Sequence, residues 1–331
     1  MNENVSFLEL DQSSGSGGSG VLEEELETVA EQILYPQEQH SPEEDRSLSI
    51  AVQFIINYLV LCFRETLDHI VLVILIYTLL CLVLYKLLFH RCSRWLKLFR
   101  KSHFPANVRR ALLVTAHPDD ECMFFGPTIL ELRRLNCRVF LLCLSEGNFA
   151  SKGEVRRQEL WDACLSLGIK AEDITLLRAT HLQDDPAQEW KTVTIANQVL
   201  KHLEALDADL LITFDKDGVS GHPNHCAIYY ATASLCLSGM IPSKCKVLTL
   251  ESINLCRKYA SLLDLPITLL LSTNWAVLNW ESRKAVQNAM ALHRSQLVWF
   301  RKLYIIFSRY MVINSLCEIN QSDVEFEILG S

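Results

Sequence analysis

Apolar and polar positions divide the chain into three zones. Residues 1–48 read as disordered: a Gly/Ser run from Ser13 to Gly20 is followed by acidic residues from Glu23 to Asp45, with scope for one short acidic helix over 23–31. Residues 49–69 form a short apolar segment interrupted by Gln53 and Asn57, which suits an interfacial position. Residues 70–89 are apolar throughout except for Lys86 near the end, where a long side chain reaches the interface. A bilayer-spanning helix needs about 20 such residues, so this stretch is expected to be a transmembrane helix. A two-span hairpin with residues 49–69 is the alternative.

From residue 104 to 331 the period changes. Strand-length apolar runs occur at Ala111 to Ala116, Val139 to Leu144, Ile174 to Leu177, Leu210 to Phe214 and Val247 to Leu250. Helical patterns lie between them, at Phe124 to Leu135, Glu154 to Leu167, Gln188 to Leu206 and Asn224 to Leu237. Alternation of continuous apolar strands with helices predicts an α/β domain with a mostly parallel sheet covered on both faces. Such sheets bind ligands beyond the carboxyl ends of their strands.

Composition narrows the function classes. Net charge is −8 and no basic patch dominates, which weighs against nucleic acid as a partner. The 12 cysteines include no C-x-x-C pair and lie mostly in apolar runs, as small hydrophobes in a reducing compartment do. Basic residues cluster after the apolar span (Arg91, Arg94, Lys97, Arg100, Lys101), against Arg64 before it. The positive-inside rule therefore predicts a single span with everything after residue 90 in the cytosol.

The chemistry sits at two strand ends. Ala116-His117-Pro118-Asp119-Asp120-Glu121 follows the first strand, and Gly218-Val219-Ser220-Gly221-His222-Pro223-Asn224-His225 follows the fourth. Either cluster alone would be an ordinary polar turn or helix cap. Brought together they offer imidazoles and carboxylates in the inventory of a catalytic zinc site, which uses three protein ligands and leaves a position for water. Of the two aspartates, one can bind metal while the other faces the water; the two histidines of the second loop can divide likewise into ligand and polariser. No Gly-rich phosphate loop follows any strand. Glu121 is a candidate for orienting His117 or capping the next helix. His293, Arg294 and Gln296 are within conceivable reach of the site. The run Trp299 to Phe307 mixes aromatics with Arg301 and Lys302, and reads equally as an interfacial helix or a core helix with two snorkelling charges.

A-H-P-D-D-E with the distal H-x-x-H, with S-E-G-N (145–148) and R-x-x-E (156–159) between, resembles the LmbE-like/PIG-L deacetylase family. R-K-Y-A-S-L-L-D-L-P (257–266) and H-R-S-Q-L-V-W-F-R-K-L-Y (293–304) resemble its eukaryotic members, and the likeness covers about residues 108–317. The resemblance implies a Rossmann-like three-layer α/β/α sandwich and zinc-dependent removal of acetyl from N-acetylglucosamine. In the eukaryotic members the substrate is a phosphatidylinositol-linked sugar, and the reaction is the second step of GPI-anchor synthesis. It further implies an endoplasmic reticulum membrane enzyme with a cytosolic active site. By motif position, His117, Asp120 and His225 are the implied metal ligands, Asp119 the base and His222 the carbonyl polariser; Arg156 matches a sugar-binding position. A deacetylase of another N-acetyl amino-sugar, or an inactive membrane scaffold of the same fold, are the alternatives. Members usually carry their anchor directly before the catalytic domain, whereas here residues 1–69 precede the span.

Overall fold

Neither proline nor glycine occurs between Glu43 and Phe89, and nothing there breaks a helix once begun. In the structure, a computed structural model, one 48-residue helix, α1 (Pro42–Phe89), fills the interval with its proline at the first helical position. The structure describes residues 42–89, 104–105, 107–147, 152–185 and 188–319. The region before residue 42, with its acidic-helix expectation, and the basic flank after 90 lie outside the described residues. Gln53 and Asn57 do not interrupt α1, because both fit a helix. The apolar segments expected over 49–69 and 70–89 are therefore parts of one helix. Its polar stretch, Arg64 to His69, continues it, with Thr66 Oγ1 donating back to Cys62 O at 2.7 Å.

The described residues fall into two compact units, one ending at Leu72 and one beginning at Val73. Within the first, the apolar side chains of α1 are largely exposed, Phe54, Ile55, Leu61 and Phe63 among them. This long apolar helix suits a membrane anchor.

The second unit is built on a seven-stranded mixed sheet in the order β3-β2-β1-β4-β5-β7-β6. Its strands are β1 (Arg110–Thr115), β2 (Arg138–Cys143), β3 (Ile174–Leu176), β4 (Leu210–Phe214), β5 (Lys246–Leu250), β6 (Asn274–Val277) and β7 (Ile313–Glu318). The first five run parallel; β7 pairs antiparallel with β5 and with β6. Helices of this unit include α2 (Asp120–Met123), α3 (Gly126–Arg134), α4 (Gly153–Leu167), α5 (Thr192–Leu206), α6 (Pro223–Leu237), α7 (Leu265–Leu271), α8 (Trp280–Leu292) and α9 (Trp299–Phe307). One layer packs α5 on α6, and the other packs α8 on α4 and α3. Every residue of β4 is buried, as a strand covered on both faces requires. In the sheet centre Leu113 pairs with Leu141 on one side and Ile212 on the other. The strand order reverses its direction of growth at β1, so the loops after β1 and its neighbour β4 open beside the topological switch point. β6, β7, α7 and α8 were not anticipated from the pattern, whereas α9 coincides with the helix expected from Trp299 to Phe307.

An ion pair lies under the antiparallel edge. Arg309 is fully buried, with Nε 2.6 Å from Asp264 Oδ2, and Asp264 also accepts from Arg257 Nε at 2.6 Å. Such a pair is costly to break from one side, because the remaining charge stays buried.

Candidate metal and active site

The first motif is held by its own backbone. Beyond β1 the chain turns sharply, and Asp119 takes φ 115°, a conformation that carbonyl acceptance stabilises: Asp119 O receives Met123 N at 2.8 Å and Cys122 N at 3.1 Å. A non-glycine residue in this region stores strain, and such residues gather at functional sites. The turn lets Asp120 Oδ2 accept the backbone N–H groups of His117 (2.8 Å) and Ala116 (3.0 Å). Glu121 Oε2 accepts Asp119 N–H at 3.0 Å, and its Oε1 lies 2.7 Å from His293 Nε2. Glu121 thus does not orient His117; from the first turn of α2 it accepts the N–H of the N-cap residue Asp119, a capping contact that steadies that strained peptide.

The second motif is positioned by the N-terminus of α6. His222 caps that helix, its Nδ1 accepting Asn224 N–H at 3.3 Å. That fixes the tautomer, leaving Nε2 as the protonated nitrogen and a donor. His225 Nδ1 donates to Gly218 O at 3.1 Å, and its ring stacks on Phe214 at 3.8 Å between centroids. Gly218 has φ +53°, and a Cβ there would stand 2.8 Å from the Cβ of His225, so both its conformation and its closeness require glycine.

The two loops meet. The ligand atoms of His117, Asp120 and His225 all lie within 4.8 Å of one another, and all three residues are buried. His225 Nε2 stands 3.4 Å from Asp120 Oδ2, and His117 Nδ1 3.9 Å from it. His117 Nε2 is 3.0 Å from Asn224 Nδ2 and 3.3 Å from Asp184 Oδ1. His222 adjoins, 4.6 Å from the His225 ring and 5.0 Å from that of His117. A buried polar atom with no hydrogen-bond partner is costly unless something else meets it. His225 Nε2 is such an atom, and it faces the carboxylate of Asp120. A second buried group, Glu121, Cys122 and His293, also has clustered donor atoms, but there the Glu121 oxygens are taken by Asp119 N–H, His293 and Cys122 Sγ.

The electrostatics suit a cation. Burial pushes the His117 imidazole down to about 4, so it is neutral, the form that ligates metal. Burial would raise Asp120, but His225 and then His117 outweigh it and hold the carboxylate ionised. Burial likewise works against charge on His225, and Asp120 reverses it, lifting that imidazole above its usual value. A proton on His225 is what a metal ion would displace. Burial lowers His222, with His225 adding to the effect. Burial raises Asp119 to about 6 against the opposing pull of Arg301, whose Nη1 is bonded to Asp119 Oδ2.

A cavity of about 410 Å³ opens over these groups, within the range of small-molecule sites. Arg156 lines it, but its guanidinium already bridges several loops: Nη1 donates to Gly147 O at 2.6 Å, and Nη2 to Gln296 Oε1 at 2.5 Å and Pro118 O at 3.2 Å. Gln296 lines the cavity, His293 lies beneath it on Glu121, and Arg294 does not line it. The sequence reading missed Asp184 and Arg301. Asp184 follows β3, and the rule that ligands bind beyond strand ends is the signal that could have found it; Arg301 arrives from α9 through tertiary folding alone.

A profile of the PIG-L family, described as GlcNAc-PI de-N-acetylase, matches residues 112–236. Bovine N-acetylglucosaminyl-phosphatidylinositol de-N-acetylase is 50% identical over 213 residues, covering 64% of this chain and 84% of that protein. The chain belongs to the PIG-L family. A probable N-acetylglucosaminyl-phosphatidylinositol de-N-acetylase of Dictyostelium discoideum is 34% identical over 241 residues, covering 64% of this PIG-L chain and 93% of the relative. Among solved structures, N,N'-diacetylchitobiose deacetylase from Pyrococcus horikoshii aligns with a TM-score of 0.48 at 15% identity, covering 65% of this chain and 85% of that one.

Proposed function

We propose that this chain hydrolyses the acetamide of N-acetylglucosaminyl-phosphatidylinositol, releasing acetate and glucosaminyl-phosphatidylinositol in the second step of GPI-anchor synthesis. It does so from the endoplasmic reticulum membrane, anchored through the apolar helix α1, with residues 104–331 forming the cytosolic deacetylase domain. His117, Asp120 and His225 hold zinc. The observation that carries this reading is the buried donor set with its unpartnered His225 Nε2, inside a chain half identical to the bovine enzyme over most of that enzyme's length.

When bound, the cation supplies Lewis acidity, lowering the pKa of water at the site and polarising the acetyl carbonyl. Asp119 takes the proton from the attacking water. Its carboxylate, lifted by burial toward neutrality yet still ionised at pH 7, is near the ideal strength for a base at that pH. The His222 Nε2–H, left as donor by the Asn224 bond, holds the developing oxyanion. As the C–N bond breaks, Asp119 returns its proton to the departing amine. Arg156 and Gln296 keep the loops of the cavity in register around the sugar, and Arg156 contributes to binding it.

The test uses the full chain in phosphatidylcholine vesicles carrying N-acetylglucosaminyl-phosphatidylinositol. Equal molar release of acetate and a primary amine is the expected result. Release from free N-acetyl amino-sugars but not from the lipid-linked sugar would replace this substrate with another.

A further inference from the structure

The helix α9 is amphipathic in the opposite sense to a core helix. Tyr304 faces the protein, where its hydroxyl donates to Met123 O at 2.9 Å, and Ile305 is half-buried. The apolar side chains spaced for the other face, Trp299, Phe300, Leu303, Ile306 and Phe307, all point outward, Trp299 with 74% of its surface exposed. A stripe of that size on a soluble surface is unusual and marks an interaction site. It is not isolated. Arg283 Nη2 donates to Ile306 O at 2.8 Å and its guanidinium lies 5.4 Å over the exposed ring of Trp280. Two residues before Trp280, Leu278 O accepts from Tyr85 Oη of α1 at 3.1 Å. Tyr77 Oη donates to Leu263 O at 2.8 Å, and Leu263 begins a second outward apolar group with Leu270 (84% exposed) and Leu271 on α7. The apolar surface therefore runs from the membrane-helix residues 77–85 across α7 and the start of α8 to α9.

What covers a surface continuous with an apolar anchor helix is the bilayer that helix enters. We propose that α7 and α9 insert their outward apolar side chains into the leaflet beside α1, making the catalytic unit an interfacial body whose active-site cavity opens at the lipid headgroups. Lys302, exposed on α9, reaches the phosphate level from there. The geometry also gives the insertion a purpose: Val298, Phe300 and Arg301 belong at once to this helix region and to the lining of the cavity. A headgroup still attached to its embedded acyl chains then reaches Asp119 without leaving the membrane. This inference rests on the lipid-linked substrate of the proposed function.

Two readouts on the full chain in phosphatidylcholine vesicles test it. With phosphatidylcholine bearing a diazirine on its acyl chain, peptides containing residues 299–307 and 263–271 are expected to be photolabelled. The triple variant Leu303→Gln/Ile306→Gln/Phe307→Ser is expected to lose labelling at α9 and about tenfold or more in kcat/KM on the membrane-borne substrate. Its turnover of water-soluble N-acetylglucosaminyl-inositol should stay within about twofold, because none of the three residues lines the cavity. Absence of labelling at α9, as a covering protein or second copy would produce, overturns the proposal. So does an equal loss on both substrates, which would mean a structural role. If the unsubstituted chain turns over neither substrate, the functional reading fails, and the labelling alone decides the surface.

Discussion

Replacing Asp119 by asparagine removes one charge and almost no volume. The side chain is buried, its oxygen is bonded by Arg301, and it is not one of the three clustered metal donors. Asparagine tolerates positive φ at least as well as aspartate, so the turn at 115° survives. The loss is that of a general base, about 10²–10⁴ in kcat, or roughly 3–5 kcal/mol of barrier. Stability should move the other way. Burial lifts the Asp119 pKa from an ordinary 3.8 to about 6. The ionised carboxylate is thus disfavoured in the folded metal-free chain at pH 7, at a cost on the order of 3 kcal/mol, which the variant escapes. The assay has three parts: acetate release, zinc affinity by calorimetry, and Tm of the metal-free chain. Turnover reduced at least about a hundredfold, with zinc affinity and Tm kept or raised, is the expected pattern. Turnover within about threefold of the parent would refute the base assignment, and loss of zinc together with activity would move Asp119 into the ligand set.

His225→Ala should weaken zinc binding more than about a hundredfold, whereas His222→Ala should keep the metal and lower kcat roughly a hundredfold; calorimetry beside acetate release separates the two. Arg301→Gln removes the charge that holds Asp119 down, so the acid limb of kcat/KM, at or below about 6 in the parent, should move up by about one unit, the rate still falling as pH falls; an unmoved limb would contradict the Asp119–Arg301 coupling. Arg309→Ala leaves the buried Asp264 with the counter-charge of Arg257 and the hydroxyl of Thr268, and unfolding stability should drop by about 3 kcal/mol, read as Tm, with zinc affinity unchanged.

The parallel half of the sheet was legible because its strands are buried on both faces and so are written as unbroken apolar runs; the expected strand ends agree to within a residue. β6 and β7 escaped because N-W-A-V and I-N-S-L-C-E are short and mixed in polarity, and their pairing is antiparallel at the edge. In the site, the grouping of His117, Asp120 and His225 was legible because each ligand set is local to one strand-end loop, and strand order alone brings the loops together. What sequence could not supply are contacts across elements: Arg301 on Asp119, Asp184 on His117, and His293 on Glu121, whose capping contact with the Asp119 N–H is local. For α9 the apolar spacing was visible, but which face the protein covers is a tertiary fact.

The central claim is that His117, Asp120 and His225 form one metal site on which amide hydrolysis depends. Its most direct test strips the full chain with chelator and measures acetate release from vesicle-borne N-acetylglucosaminyl-phosphatidylinositol while zinc is titrated back. Activity should vanish on stripping and return in proportion to zinc, saturating at one ion per chain. Undiminished release from the metal-free chain, or saturation only at two ions, would contradict it.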